Sequence, residues 1–374
     1  MVNAPPDAID RALVRRVLVT KLRHHGDVLL ASPVFTVLSK ALPAAELDAL
    51  VYRETAPMLE GHPAISRLHA IDRDWKRRGL IAQASAETGL LRTLASRRYD
   101  LLVHLTEHPR GAWLTRLLRP RYSVARELPR AHWLWRTSFS HYYRLPRVTP
   151  RHTVECNLDA LRRLGLQPAA GDRRLVLIPG AEDVARATAL LERHGLRPEG
   201  FIQLHPGSRW LFKCWTPEGY AMLVERLAAD GRRIAITGAP DERERRLVDA
   251  ILASLSPPAR ASVADLTGAL SLRELAALTR RARLFVGVDS APMHIAAAVA
   301  TPVVALFGPS GEIEWGPWQV PHRIVASAAH RCRPCGIDGC GGGKVSECLT
   351  DLPVERVYEA VVALLAEARM PVMA

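Results

Sequence analysis

The chain has 374 residues, more than a single hydrophobic core usually serves, so two domains are expected. Apolar residues make up 48% and charged residues 24% of it, a globular composition that excludes disordered and collagen-like proteins. No apolar run approaches the roughly 20 residues that span a bilayer, and the N-terminus lacks the apolar segment of a secretory signal. We therefore expect a cytoplasmic protein.

The positive charge is concentrated in the first part of the sequence. Residues 1–150 contain 24 basic and 13 acidic residues and residues 151–374 contain 27 and 25, so +11 of the net +13 lies before residue 151. Such a basic region suits an anionic partner, either nucleic acid, an anionic membrane surface or a phosphorylated substrate. A generally arginine-rich composition would give the same excess without any partner.

Strands alternate with helices from the start of the chain. The β-branched run RVLVTKL (16–22) predicts a strand, followed by a turn and a helical pattern. Buried strands are also predicted at 46–52 and 99–105, with helical stretches at 53–60 and 79–97. Strands interleaved with helices predict a parallel sheet covered on both faces.

The middle of the chain interrupts this alternation. Residues 120–150 are rich in Arg, Trp, His and Pro, and their poor periodicity predicts an irregular segment beside a cleft. A helix is predicted at 152–164. The Pro-, Gly- and Arg-rich stretch 167–174 then indicates a linker between residues 165 and 200.

The second half restarts the same pattern. Strands are predicted at 201–208, 232–237, 283–289 and 301–308. Thr216 is the expected N-cap of one helix, Pro217 its first-turn residue and Gly231 its stop. Capping-box spacing recurs at two later helix starts, in the pairs Asp241–Glu244 and Ser271–Glu274. The sequence thus predicts an α/β protein of two Rossmann-like domains that face one another across a cleft.

Residues 286–308 combine a strand, a polar turn, a helix and another strand. The helix begins DSAPMH, and its small first residues, Ser290 and Ala291, let backbone N–H groups approach a ligand. These N–H groups and the helix dipole predict a phosphate site, with His294 one turn away and able to bind the same anion. The alternative is that Asp289 or Ser290 only caps the helix and that His294 is a buried core residue.

The loop in LHPGSRWLFKCW (204–215) follows a predicted strand and carries Ser208, Arg209 and Lys213. Two cations and a hydroxyl can balance the charge of a diphosphate leaving group without a metal ion. The alternative is a surface loop with solvated cations. Neither a Walker A motif nor a GxGxxG motif occurs, so P-loop NTPases and standard dinucleotide enzymes are not supported.

The turn after the first strand reads KLRHHGDVLL. Gly26 permits a tight turn, and Asp27 stands at a helix start beside the carboxyl end of a strand, where α/β sheets place functional groups. A carboxylate there can act as a general base. An aspartate at a helix start is also a common N-cap, and both interpretations stay open.

Four of the six cysteines cluster near the end of the chain, at Cys332, Cys335, Cys340 and Cys348. The first pair has zinc-ligand spacing, but seven residues separate the second pair, unlike the paired knuckles of a zinc ribbon. Structural zinc, a redox bridge and unligated thiols are the alternatives.

Several motifs in a fixed order resemble the bacterial lipopolysaccharide heptosyltransferases of glycosyltransferase family 9, in particular the heptosyltransferase III type. They are KLRHHGDVLLASPVFTVL, YRETAPML, IDRDWKRRG, GVDSAPMHIAAAVATPVVALFGPSG and the cysteine-rich tail, so the likeness covers nearly the whole chain. It implies a GT-B fold with an acceptor-binding domain at 1–175 and an ADP-sugar-binding domain at 176–374. The C-terminal helix is expected to pack back on the first domain.

The resemblance implies inverting transfer of L-glycero-D-manno-heptose from ADP-heptose, without a metal or other cofactor. Asp27 corresponds to the proposed base and Lys213 to the lysine that meets the donor phosphates. The full expected donor set is Ser208, Arg209, Lys213, Glu242, Leu270, Asp289, Ser290, Ala291 and His294. In it Glu242 falls near a ribose-binding acid and Leu270 near an adenine pocket. Where the family often has two threonines in the phosphate loop, this chain has Gly207 and Ser208.

The implied acceptor is a phosphorylated, Kdo-bearing lipid A core at the cytoplasmic face of the inner membrane, with Arg23, His24 and His25 as expected contacts. A basic N-terminal domain would suit both that glycolipid and the anionic bilayer, and no nucleic acid partner is expected. Two alternatives stay open: a transferase for a different sugar nucleotide, and a catalytically inactive glycolipid-binding relative.

Overall fold

The computed structural model describes residues 7–145 and 150–367 of the chain. The chain divides into two compact units, Met1–Leu177 and Ile178–Ala374, and each contains its own sheet. Within the described residues, no helix is both long and apolar enough to cross a bilayer.

The first unit has a parallel sheet flanked by helices. Its strands are β1 (Arg16–Thr20), β2 (Glu46–Tyr52), β3 (Arg67–Ile71), β4 (Leu101–His104), β5 (Tyr122–Arg126) and β6 (His141–Tyr143). They lie in the order β3-β2-β1-β4-β5-β6. Its helices are α1 (His25–Leu29), α2 (Ser32–Ala41), α3 (Leu80–Ser96), α4 (Arg110–Leu118), α5 (Trp133–Arg136) and α6 (Thr153–Arg163). Short 3-10 turns occur at Arg11–Leu13, Arg53–Met58, Arg73–Arg78 and Ala170–Arg173.

The centre of this sheet is formed by the apolar sequence runs from which strands were predicted. Every residue of β4, and all of β1 and β2 except the first, is buried, as required of strands covered on both faces. The helical stretch predicted at 53–60 is a 3-10 helix, Arg53–Met58. It contains Pro57, which lacks the N–H that an α-helix needs.

The segment 120–150, predicted to be irregular, contains β5, α5 and β6. Trp135 and Phe139 pack in the same core cluster as Leu102, so the aromatic residues cover the sheet there. Residues 146–149 of the segment lie outside the described residues.

The second unit repeats the architecture. Its strands are β7 (Phe201–His205), β8 (Arg233–Ile236), β9 (Val263–Asp265), β10 (Leu284–Val288), β11 (Val303–Phe307) and β12 (His322–Ala326). They are parallel and lie in the order β12-β11-β10-β7-β8-β9. Its helices are α7 (Ala181–Arg193), α8 (Pro217–Ala229), α9 (Glu242–Ala253), α10 (Pro257–Ala261), α11 (Leu272–Thr279), α12 (Ala291–Ala298), α13 (Glu312–Trp315), α14 (Glu347–Thr350) and α15 (Val354–Glu367). The 3-10 turns are Leu211–Lys213 and Cys340–Gly342.

Local chemistry at the helix ends explains several of these boundaries. Thr216 caps α8 by accepting the N–H of Gly219 at 3.0 Å, and Pro217 is the first helical residue, as predicted. Ser271 and Glu274 form the predicted capping box of α11. The C-terminal helix α15 packs against α8 and β12 and buries Val361 in the second unit's core.

Both sheets have the strand order of a doubly wound α/β domain. In each unit the first strand lies between the second and the fourth, which creates a topological switch point. Ligands of such sheets bind outside the carboxyl ends of the strands at that point. The relevant pairs are β1 with β4 in the first unit and β7 with β10 in the second.

Candidate active site

Two loops converge at the switch point of the second unit. β7 and β10 are paired neighbours, and a Cβ added at Gly287 of β10 would lie 2.9 Å from the backbone oxygen of His205, so only glycine allows this approach. The loop after β7 carries Ser208 and Lys213, and β10 is followed directly by Asp289. The loops after parallel strands lie at one edge of the sheet, and this brings the predicted residues together.

Lys213 and Asp289 form an ion pair between these loops. The distance from Lys213 Nζ to Asp289 Oδ2 is 2.6 Å, and the side chains are 23% and 6% exposed. The turn that ends at Lys213 is held by Ser346, whose hydroxyl donates to the backbone oxygen of Phe212 at 2.6 Å. The buried carboxylate therefore fixes an ammonium group that still reaches solvent and can meet an anion.

The start of α12 lies directly after Asp289. Ser290 occupies the N-cap position, but its side chain makes no cap hydrogen bond, and its buried Oγ has no hydrogen-bond partner among the described residues. The Asp289 carboxylate is bonded to Lys213. Neither side chain therefore acts as the cap that the alternative interpretation required. His294, one turn into the helix, is buried at 3% exposure.

Ser208 and Arg209 lie at the start of the loop after β7. Ser208 is buried, and its Oγ accepts the N–H of Trp210 at 3.3 Å. Arg209 is exposed, with its guanidinium carbon 5.3 Å from the ring centre of Trp210. The loop therefore holds its serine inside and its arginine towards solvent.

The acidic residue predicted to bind ribose lies on the surface. Glu242 is the first residue of α9, its side chain is 79% exposed, and it pairs with Arg246. Glu244 is buried instead, and its Oε2 accepts the N–H of Ala239 at 2.7 Å. A Cβ at Gly207 would lie 2.4 Å from that oxygen, so Glu244 lies directly against the loop after β7.

The sequence interpretation missed Glu244 as part of this cluster because it assigned the residue to a capping box with Asp241. The structure corrects half of that assignment: Asp241 accepts the N–H groups of Arg243 and Glu244, while the Glu244 carboxylate turns to the loop. Burial raises the pKa of Glu244. Burial also lowers the pKa of His205, whose Nε2 is 3.6 Å away, to about 4, so its imidazole is neutral at pH 7.

Two apolar residues complete the predicted donor set. Leu270 is half-buried and packs against the core cluster that includes Leu191 of α7 and Leu278 of α11. Ala291, the first residue of α12, is also half-buried. Its methyl group adds little bulk beside Ser290.

In the first unit, Asp27 follows the switch-point strand β1. It is the third residue of α1, whose N-cap is His24, so the interpretation of Asp27 as an N-cap was wrong. Its Oδ1 lies 3.6 Å from Nε of Arg23, and the two side chains are 13% and 57% exposed. The carboxylate is thus largely covered and balanced by a cation.

Two histidines lie beside this pair. His24 begins α1 without a side-chain cap bond, and His25 Nε2 is 2.7 Å from the backbone oxygen of Glu54. That contact fixes the His25 ring against the 3-10 turn after β2. The structure therefore places the Arg23 side chain beside Asp27 and the His25 ring against the neighbouring 3-10 turn.

Lys21 is a buried cation near Asp27 that the sequence interpretation missed, because the residue reads as the end of a strand. Its Nζ donates to the backbone oxygen of Leu105 and to Oδ1 of Asn157, each at 3.0 Å. Burial lowers the pKa of Lys21 to about 8, and the negative charge of Asp27 acts in the opposite direction. At pH 7 the lysine adds a second positive charge near the carboxylate.

The cysteine-rich segment contains free thiols. Cys332, Cys335 and Cys340 are exposed and Cys348 is buried. Among residues 7–145 and 150–367, no group of three or more His, Cys, Asp or Glu side chains is arranged to hold a metal ion. The geometry gives the zinc interpretation no support.

Each unit presents a distinct chemistry at its switch point. In the second unit, a positioned ammonium group, a helix start and hydroxyl groups can bind a diphosphate and stabilise it as a leaving group. In the first unit, a largely covered carboxylate is placed where it can accept a proton.

Comparison with known proteins gives the family. The model of glycosyltransferase family 9 (heptosyltransferase) matches residues 88–345. Lipopolysaccharide heptosyltransferase 3 of Escherichia coli is 34% identical over 302 residues, which cover 79% of this chain and 84% of the relative.

Solved structures share the fold. A family 9 glycosyl transferase from Veillonella parvula has a TM-score of 0.81 at 24% identity, covering 98% of this chain and 100% of its own. The ADP-heptose lps heptosyltransferase II of E. coli has a TM-score of 0.75 at 20% identity, covering 95% and 100%. The predicted GT-B class of two α/β units is confirmed. The chain therefore belongs to glycosyltransferase family 9 and is a glycosyltransferase similar to lipopolysaccharide heptosyltransferase 3.

Proposed function

We propose that the enzyme transfers L-glycero-D-manno-heptose from ADP-heptose to the inner core of lipopolysaccharide, with inversion and without a metal ion, as a heptosyltransferase III does. The observation that carries the proposal is the Lys213–Asp289 ion pair beside the start of α12, at the switch point of the second unit. The names of the relatives supply the sugar and the acceptor class, heptose and lipopolysaccharide.

In the proposed reaction, Asp27 removes the proton of an acceptor hydroxyl as that oxygen attacks the anomeric carbon of the heptose. The bond between that carbon and the diphosphate oxygen breaks, and ADP leaves with the electron pair. Lys213 and the N-terminus of α12 stabilise the negative charge that develops on ADP. The leaving-group contribution is the larger one, because the charge grows in a partly buried site with fixed partners.

The remaining expected residues take supporting roles. Ser208, Arg209, Ser290, Ala291 and His294 surround the donor diphosphate and heptose in this proposal. Glu242 and Leu270 contact the ribose and the adenine. Glu244 takes a separate role in this proposal. Its buried carboxylate supports the loop after β7, against which it lies at Gly207.

Arg23, His24 and His25 are proposed to contact the acceptor, a phosphorylated lipid A, Kdo and heptose core. Arg23 is already beside Asp27, which suits an anionic acceptor that must approach the base. Action on this glycolipid would place the enzyme in the cytoplasm, in peripheral contact with the anionic inner membrane. Nucleic acid has no part in the proposal.

A turnover assay tests donor and acceptor together. ADP-heptose is compared with UDP- and GDP-sugars, each with core-truncated lipopolysaccharides as acceptors, and the Lys213→Ala variant serves as the low-activity control. We expect turnover with ADP-heptose alone. Preference for a UDP- or GDP-sugar would favour the transferase with another donor. Binding of lipooligosaccharide without binding or consumption of ADP-heptose would favour the inactive relative.

A further inference from the structure

Helix α3 leaves most of its surface uncovered. In its 17 residues only Leu94 is buried, whereas Leu80 and Ile81 at its start are 86% and 89% exposed. A helix of a globular protein normally buries an apolar stripe against its own core. Packing in the core of the unit therefore does not explain why two adjacent aliphatic side chains stand at these positions.

An apolar groove lies between α3 and α4. Its volume is about 500 Å³, and Leu90 and Leu91 of α3 line it together with Trp113 and Leu117 of α4. Trp113 and Leu117 are one helical turn apart and 54% and 56% exposed. The groove thus adds a second exposed apolar surface to the helix that begins with Leu80 and Ile81.

The stretches that comprise these two helices and the turns beside them are strongly cationic. Residues 73–96 and 110–121 together contain nine basic and two acidic residues, a net charge of +7 out of the chain's +13. Both acids are already paired, since Glu87 accepts two bonds from Arg110 and Asp74 lies 3.7 Å from Arg77. The side chains of Arg77 and Arg78 are 87% and 59% exposed, and Arg78 pairs with Asp72, just before the counted stretch.

We infer that this α3–α4 face docks on an anionic phospholipid bilayer. Leu80, Ile81, Trp113 and Leu117 insert among the headgroups, while the surrounding arginines meet the lipid phosphates. Exposed aliphatic and tryptophan side chains among cations are the pattern of interfacial helices, and charge complementarity favours a bilayer over a second copy of this basic chain. The inference rests on the proposed function only in that a glycolipid acceptor brings the enzyme to a membrane.

Vesicle co-sedimentation tests the inference without any substrate. The full chain is mixed with phosphatidylglycerol/phosphatidylethanolamine vesicles or with phosphatidylcholine vesicles. The variant is Leu80→Ser with Ile81→Ser. The control is Met222→Ser with Ile313→Ser, at positions 50% and 56% exposed in the second unit. Because all four side chains are exposed, each variant should keep its fold, which circular dichroism checks.

We expect the unmodified protein and the control to bind the anionic vesicles, and the Leu80/Ile81 variant to bind about tenfold more weakly. Binding to phosphatidylcholine should be weak for all three proteins. Equal binding by the Leu80/Ile81 variant, or no binding by the unmodified protein, overturns the inference. The inference is also overturned if sedimentation velocity shows a dimer for the unmodified protein and a monomer for the Leu80/Ile81 variant. A second copy of the chain would then cover the face.

A second readout separates this surface from catalysis. Transfer to a deacylated core oligosaccharide should proceed at the same rate in the unmodified protein and the Leu80/Ile81 variant, because neither side chain belongs to the proposed reaction. A rate lost with the deacylated acceptor would assign the two residues to the acceptor site and contradict the docking role. Absence of transfer by the unmodified protein would defeat the proposed function and leave the vesicle result to decide the surface.

Discussion

Lys213 is held in place by an ion pair within the second unit. Its ammonium group lies 2.6 Å from the buried carboxylate of Asp289. Asp289 follows β10, the strand paired with β7. A cation fixed in this way needs little reorganisation when an anion arrives, which is the condition for strong stabilisation of a leaving group.

Replacement of Lys213 by alanine is expected to lower turnover by about 10²-fold or more, because the cation at the leaving diphosphate is lost. The same change leaves the buried Asp289 carboxylate unpaired, which lowers stability. Steady-state kinetics and thermal unfolding of Lys213→Ala, with and without Asp289→Asn, separate the two effects. The double variant should regain stability and stay inactive, whereas Lys40→Ala, which removes a lysine from the largely covered Asp172 of the first unit, should leave turnover unchanged.

Restored turnover in the double variant would show that Lys213 acts only through the fold.

Sequence alone could place Lys213, Asp289 and Asp27, because each follows a predicted strand at its carboxyl end. It could not place Glu244 or Lys21. A glutamate three residues after an aspartate looks the same whether it caps a helix or supports a loop, and only burial distinguishes the two.

Among the elements, those with long periodic patterns or specific cap chemistry were predicted well. The caps at Thr216 and at Ser271 are formed as expected. The strands β5 and β6 were missed because they lie in a stretch rich in Arg, Trp, His and Pro, where no apolar run marks a strand. Their places in the sheet depend on pairing of β5 with β4 and of β6 with β5, which local sequence does not encode.

The close approach of β7 and β10 can be tested by a substitution at Gly287. Gly287→Ala is expected to lower the free energy of unfolding by about 1–3 kcal/mol, because the new methyl group meets a backbone oxygen that cannot move aside. Urea unfolding measures the loss, and donor binding should weaken with it. Gly171→Ala, where a Cβ meets nothing within 4 Å, is the matched control. Equal stability of the two variants would contradict the packing described at the switch point.

Across the whole molecule, two units of identical strand order carry different charges and different chemistry. The repeated alternation of strands and helices was visible in the sequence. The order within each sheet was not, because it depends on contacts between distant segments. Of the +11 in the first 150 residues, +7 lies in residues 73–96 and 110–121, which comprise α3, α4 and the turns beside them.

Three buried histidines give the molecule a defined acid sensitivity. Burial lowers the pKa of His62, His104 and His205 to about 4, 3 and 4. Between an ordinary histidine pKa near 6.5 and these values, the unfolded chain binds more protons, so stability falls as pH falls. The expected slope is about 1.4 kcal/mol per pH unit for each histidine. The first unit, which contains two of them, should lose stability more steeply.

Urea unfolding from pH 7 to pH 5 measures this slope, and His104→Asn should make it shallower. A free energy of unfolding that stays constant over that range would contradict the neutral, buried state of these rings.

The division of labour between the units is tested most directly by Asp27→Ala, measured for both donor affinity and single-turnover rate with saturating substrates. We expect an unchanged dissociation constant for ADP-heptose and a rate lower by about 10² to 10⁴-fold, because only the proposed base is removed. Asp249→Ala, at an exposed aspartate of the second unit, should change neither quantity. Near-normal turnover by Asp27→Ala would show that Asp27 is not the base.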